Sequence, residues 1–221
     1  MRSAAPLSLR ATCDGLTLLA SAYGPLGGDT TELRVDARAG AQLEVRTAGA
    51  QIALPGAGDP LSRSTVTLSV GPGAVLRWLP QPLVVAAGAV HRQELSADVA
   101  EGGALVLVET LVLGRHGEKG GRYVGQWRIR YAQTPLYAGD LDVGVGAPPG
   151  WDGPAVVGQA TVLVTGLLAG PQAPAWTDEG LQADVLPLAG PGALLQWCGT
   201  DTVRAAAVAR SFLRAAQRAA P

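Results

Sequence analysis

Period-two alternation of apolar and polar residues dominates this chain. Residues 64–70 show it most cleanly, with Val66, Leu68 and Val70 on one face and Thr65, Thr67 and Ser69 on the other. Such alternation predicts a half-buried strand. Further strands are predicted over Leu16–Tyr23, Glu32–Asp36 (Leu33 and Val35 inward) and Gln42–Thr47 (Leu43 and Val45 inward). Along Val90–Val99, His91, Gln93, Leu95, Ala97 and Val99 share a face. Along Arg122–Tyr131, Tyr123, Trp127, Ile129 and Tyr131 turn inward. Ala104–Leu113 is apolar on both faces and predicts an interior strand. Pro135–Val145 predicts an edge strand. Ala155–Val164 predicts another, with Gly166–Ala169 open between its continuation and a helical turn. Ala48–Pro60 reads as a loop.

Only the C-terminus carries a helical period. Ala205, Val208, Ala209, Phe212, Leu213 and Ala216 form one apolar stripe, so a helix is expected at about 201–219. Thr200 or Asp201 is placed to cap it. The chain is organised around Gly73–Ala89, where a Gly-Ala turn opens a strand that Pro80 and Pro82 cut. Proline has no N–H and cannot sit inside a central strand. The Gly-Ala opening recurs at Gly40, Gly103 and Gly192. Gly40 to Gly73 is 33 residues and Gly73 to Gly103 is 30. That range marks a repeated supersecondary unit. The expected fold is therefore all-β: a layered, solenoid-like body of many short strands with a C-terminal helix, in one domain over 1–221.

Composition narrows the partners. Hydrophobic residues make up 48% and charged residues 16% of the 221, with a net charge of −1. This balance predicts a folded globular chain and argues against nucleic acid or an anionic membrane as the main partner. The first twenty residues do not read as a signal peptide, because Arg10 and Asp14 interrupt them. The apolar stretch Ala155–Ala169 is too short to span a bilayer. A soluble, cytoplasmic protein is expected. Cys13 and Cys198 match no zinc spacing and read as small buried hydrophobes.

Catalytic residue types are sparse. His116 lies in a charged loop and reads as exposed. His91 reads as structural or surface. No G-x-S-x-G, P-loop or G-x-G-x-x-G is present, so no enzyme is expected. Glu109 is different, because it shares a face with Leu105, Leu107, Leu111 and Leu113. A carboxylate there must be paired, hydrogen-bonded or raised in pKa. Two readings stay open: a salt bridge to Arg115 or Arg77, or a polar group lining an internal passage or partner surface. Asp29, after Gly27 and Gly28, reads as a turn residue ahead of a ligand.

Leu76-Arg77-Trp78-Leu79-Pro80-Gln81 followed by Gly88-Ala89 resembles the "LEWLPQE…FDGA" signature of the UreD (also UreH) family of urease accessory proteins. Gly27-Gly28-Asp29 resembles that family's Gly-Gly-Asp turn. Residues 43–56 sit where the family carries "LTTPGATKFYR". Glu109 through Gly114-Arg115 resembles its "WEILCLGR", and residues 128–141 its following segment. The order holds from about residue 24 to 141. The chain departs at Gln51, Pro82 and Ala87, where the family has polar residues, and resembles a short, divergent member.

The resemblance implies a layered β-fold and a non-enzymatic maturation chaperone. Its partners would be apo-urease, a UreF-type protein and a UreG-type GTPase, and nickel would pass transiently with no tightly bound cofactor. It places Glu109 on or beside the nickel path, with Asp29 and Arg115 shaping a partner surface. Gly27, Gly28, Trp78, Pro80, Gln81 and Gly114 complete the matched motif positions. Two alternatives remain: a structural or interaction β-protein without the nickel role, and a solenoid enzyme acting on polysaccharide. The second would need paired carboxylates at a cleft; the acidic residues here are scattered and aromatics are 5%.

Overall fold

A computed structural model describes residues 7–12, 15–20, 24–171 and 180–219. In chain order the elements are β1 (Leu7–Thr12), β2 (Gly15–Ala20), β3 (Thr30–Ala37), β4 (Gln42–Thr47) and β5 (Gln51–Ala53). There follow β6 (Leu61–Val70), β7 (Val75–Leu79), β8 (Leu83–Val85), β9 (Val90–Val99) and β10 (Ala104–Leu113). Last come β11 (Arg122–Tyr131), β12 (Thr134–Gly144), β13 (Val162–Ala169), β14 (Asp184–Pro187), β15 (Gly192–Gly199) and α1 (Thr202–Ala219).

Two sheets face each other. The small sheet has the order β12-β11-β9-β6-β3, and β3, β6, β9 and β11 are all mutually parallel. The large sheet runs β1-β2-β4-β7-β10-β13-β15-β14, with β5 and β8 attached beside β10. Consecutive coils lay one strand in the small sheet and the next in the large one: β3 then β4, β6 then β7, β9 then β10. Parallel stacking of successive coils makes the body solenoid-like.

The turns between paired strands stack as well. Val75 donates to Ala41 O at 2.8 Å, Ala104 to Ala74 O at 2.8 Å and Gly40 to Pro72 O at 3.0 Å. At each turn one residue takes a left-handed backbone: Gly40 (φ 70°), Gly73 (66°) and Gly102 (74°). A side chain there would strain the turn, which explains the glycines. The repeat is real, but its third copy is aligned on Gly102, one residue before the expected Gly103. The fourth copy, at Gly192, is not a coil: β15 pairs antiparallel with β13 and β14.

Inward rows make the core. Leu43, Leu76 and Leu105 stack across β4, β7 and β10. Leu33, Val66, Leu95 and Trp127 stack across the small sheet. These rows meet in one cluster between the sheets. α1 covers the opposite face of the large sheet, seating Ala205, Val208, Phe212 and Ala216 on Val106, Val108, Val164, Leu195 and Trp197. Asp201 is its cap, its Oδ1 accepting from Val203 N at 2.7 Å and Arg204 N at 3.2 Å. Among the described residues no helix is long and apolar enough to cross a membrane.

Some expectations need correction. The strand expected over Ala155–Val164 begins only at Val162, because turns at residues 150–159 precede it. Gly166–Ala169 is the end of that strand rather than a helical turn, since β10 and β15 both pair with it in register. The loop expected over Ala48–Pro60 contains β5, held by β8. Cys198 is exposed, not buried: Trp197 takes the helix-facing position and alternation turns Cys198 away. Cys13 and residues 21–23 lie outside the described residues. His116 is exposed, as expected, and Pro135–Val145 falls on edge strand β12.

A Cβ at Gly73 meets nothing within 4 Å, so Gly73→Ala isolates backbone strain. We expect a loss of about 1 kcal/mol in urea denaturation. Gly103→Ala should cost more, because its Cβ would lie 2.8 Å from Gly71 O.

Candidate functional site

Pro80-Gln81-Pro82 interrupts the large sheet beside its interior strand. β10 pairs with β7 through Leu107↔Trp78, then with β8 from Leu111↔Leu83. Between those registers Val108–Thr110 has no strand partner on that side, because prolines supply no N–H to a ladder. The coil above breaks at the same level, between β4 and β5. A cavity of about 1230 Å³ lies against these breaks. It extends between the sheets from Leu33 and Ile52 in the first coil to Tyr137 and Leu141 at the β12 edge.

Glu109 lines this cavity and ties the two sheets together. Trp78 Nε1 donates to its Oε1 at 3.1 Å, and Gln93 Nε2 donates to its Oε2 at 2.7 Å. The Trp127 side chain donates a third hydrogen bond. Trp78 and Glu109 belong to the large sheet, Gln93 and Trp127 to the small one. Burial pushes the Glu109 pKa up, and the three hydrogen bonds oppose that shift. Among the described residues no cation contributes to the shift. Arg115 pairs instead with Glu118, at 2.9 Å. Arg77 points to the other face of β7, and its Nη1 donates to Gln42 Oε1 at 3.2 Å. The salt-bridge reading of Glu109 is therefore replaced by neutral donors.

Beside Glu109, the small sheet presents a polar wall. Ser62, His91 and Tyr123 occupy one row, and Ser64, Gln93 and Gly125 the next. The ring of Tyr123 lies over Gly125, where a Cβ would collide with it. Burial pushes the Tyr123 pKa well up, and the charge of Glu109 adds to the shift. His91 is buried. Its Nδ1 lies 2.9 Å from Ser62 Oγ and its Nε2 3.1 Å from Ser64 Oγ. Desolvation lowers its pKa from 6.5 to about 4, so the ring is neutral near pH 7.

The motif residues divide into two places. Asp29, Trp78, Pro80, Gln81 and Glu109 all line the cavity. Asp29 Oδ2 accepts from Leu26 N at 2.8 Å, and so closes its own turn. Gly27 sits where a Cβ would strike Asp59 O, and Gly28 has φ 93°. Gln81 N donates to Thr47 Oγ1 at 2.8 Å. Gly114 and Arg115 lie apart, in the turn after β10, where Glu118 gathers the Arg115 side chain and backbone. Of the departing positions, Gln51 lines the cavity, Pro82 O accepts from Gln51 N at 3.0 Å, and Ala87 N donates to Glu118 Oε1 at 3.3 Å.

Sequence reasoning singled out Glu109 but passed over Gln93, Tyr123 and Trp127 as its neighbours. His91 and Gln93 carried a usable signal: two polar residues on the inward face of an alternating strand. Among the described residues no three His, Cys, Asp or Glu side chains converge as a metal site. The cavity offers carboxylate, amide and hydroxyl oxygens, and both ring nitrogens of its neutral imidazole are engaged by Ser62 and Ser64.

A family model described as UreD urease accessory protein matches residues 1–220. The Urease accessory protein UreD of Streptomyces coelicolor is 39% identical over 210 residues, covering 90% of this chain and 82% of its own. Urease accessory protein UreD 3 of Streptomyces griseus is 37% identical over 211 residues, covering 89% and 81%.

The buried imidazole has a stability signature. An unfolded histidine takes a proton below pH 6.5, whereas His91 resists to about pH 4. Its contribution is therefore present above pH 6.5 and lost as the pH falls through that window. Urea denaturation of wild type and His91→Gln at pH 7 and pH 4.5 should show wild type losing about 2 to 3 kcal/mol more than the variant.

Proposed function

The chain belongs to the UreD family of urease accessory proteins, and on that premise we propose that it is a non-catalytic scaffold for nickel insertion into urease. It binds apo-urease and joins a UreF-type accessory protein and a UreG-type GTPase. The GTPase hydrolyses the nucleotide; this chain supplies contact surface and a route for the ion. It works in the cytoplasm, needs neither membrane nor nucleic acid, and keeps no tightly bound cofactor.

One observation carries the nickel reading: a cavity between the two sheets is lined by a carboxylate held by neutral donors. Glu109 is the oxygen donor on that route. Its partners are neutral N–H groups, so no fixed cation competes for the charge. Nickel moving past needs donors that bind and release. Asp29 at the cavity wall and Arg115 on its separate turn contribute to partner surfaces. A second reading, an interaction β-protein without nickel delivery, is favoured by the apolar residues Pro82 and Ala87 at family polar positions.

The first experiment is co-expression with urease subunits and UreF-type and UreG-type proteins, with affinity capture on this chain. Recovery of apo-urease and both accessory proteins is expected; a folded chain that recovers none removes the scaffold reading. In the same cells Glu109→Gln should still be captured with its partners yet lower urease activation. The Gln93 amide can turn over to accept from the new amide, and where it does not the unmade hydrogen bond costs about 1–3 kcal/mol. Activation should therefore be compared well below the melting temperature. Full activation by this variant assigns the second reading.

A further inference from the structure

Parallel sheets are as a rule covered on both faces. In the small sheet β3, β6, β9 and β11 run parallel, and their inward residues lie in the core. Among the described residues no helix lies on the outer face, since α1 packs on the large sheet. The side chains that point outward there are exposed or half-buried.

Register sorts their charges into rows that cross the strands. The first row holds Thr30, Arg63 and Arg92. The second holds Glu32, Thr65 and Glu94, and reaches Asp140 on β12. The third holds Arg34, Thr67, Ser96 and Arg128. The fourth holds Asp36, Ser69 and Asp98. The sign alternates from row to row: basic, acidic, basic, acidic.

The two middle rows are paired within the chain. Arg34 lies 3.8 Å from Glu32, and Arg128 lies 2.8 Å from Asp140. The end rows differ. Arg63 and Arg92 directly oppose each other on neighbouring strands, and like charges so placed destabilise a sheet. Among the described residues neither forms an ion pair. At the far end Asp36 and Asp98 flank Ser69. Only Asp98 has a cation within ion-pair distance, Arg130 at 3.7 Å. Six residues separate the ends, about 20 Å of strand. Between them β6 presents the short Thr65 and Thr67, which keep the middle of the face low.

A facing copy related by a two-fold axis along the rows, between the second and third, presents the rows in reverse order. The first row then meets the fourth and the second meets the third, so basic rows meet acidic ones. Arg92 of each copy falls opposite Asp98 of the other. Arg63 falls opposite Ser69, between Asp36 and Asp98. A two-fold axis along the strands would instead set each row on itself, like charge on like. Charge selects the first geometry.

We propose that the outer face of the small sheet is an isologous interface between two copies of this chain, closed by Arg63 and Arg92 of each on Asp36 and Asp98 of the other. The interface is independent of the nickel reading. Its footprint of roughly 20 Å by 20 Å is small for a permanent dimer, and its contacts are ionic. The dimer is therefore weak and sensitive to salt.

Sedimentation velocity on the full chain tests this. A concentration-dependent dimer is expected at low salt and a monomer at about 1 M salt, where the Debye length falls to about 3 Å. Arg63→Glu/Arg92→Glu sets acid against acid, and Asp36→Arg/Asp98→Arg sets base against base. Each double variant alone should weaken the dimer by more than about a hundredfold. An equimolar mixture of the two should recover a dimer, because each reversed row meets its complement on the other variant. All four positions are exposed, and urea denaturation checks that both variants stay folded. A wild-type chain that remains monomeric at low salt overturns the interface. So does a dimer that either reversal leaves intact, or a mixture that stays monomeric. Loss of urease or accessory-protein capture in the reversed variants of a monomeric wild type assigns the face to that partner instead.

Discussion

The arrangement depends on a ladder that is not made. Two prolines flank Gln81, and neither can donate to β10. β7 and β8 therefore meet the interior strand as two short segments with a gap between them. The gap falls beside Glu109, on a strand otherwise occupied by leucine, valine, alanine and one threonine, Thr110. An unbroken strand there would close the wall and bury the carboxylate against its neighbours. The break admits a cavity, and the carboxylate lines it.

A buried carboxylate costs free energy unless its oxygens find donors. Glu109 meets that demand from both sheets, through Trp78 and Trp127, which face each other across the body, and through Gln93. Indole N–H groups donate only, and they sit on large rings that hold position by packing. The arrangement fixes the spacing of the sheets at this level, with no competing cation on the carboxylate among the described residues. Interlayer clasp and ion donor are compatible roles for one group, because the clasp orients the oxygens that an ion would meet.

Much of the fold was legible in the sequence for a simple reason. Period-two alternation is local, and residues such as Val66, Leu68 and Val70 face inward whatever strand lies alongside. The bounds of β4, β9 and β11 followed from it directly, and those of β10 from a run apolar on both faces. The stacked turns were legible because a left-handed residue demands glycine, although choosing between Gly102 and Gly103 needed the hydrogen bonds. The errors cluster after residue 150. There strands are set by antiparallel pairing with distant partners, and neither the start of β13 nor the role of β15 has a local cause.

The sequence by itself determined the strand faces, the proline break, the terminal helix and the presence of one out-of-place carboxylate. These are properties of short segments and of individual side chains. Tertiary structure alone decided what Glu109 touches. Gln93 and Trp127 come from the opposite sheet, and Thr165 aligns with it only through the pairing of β10 with the distant β13. Register is a relation between segments, and no single segment contains it.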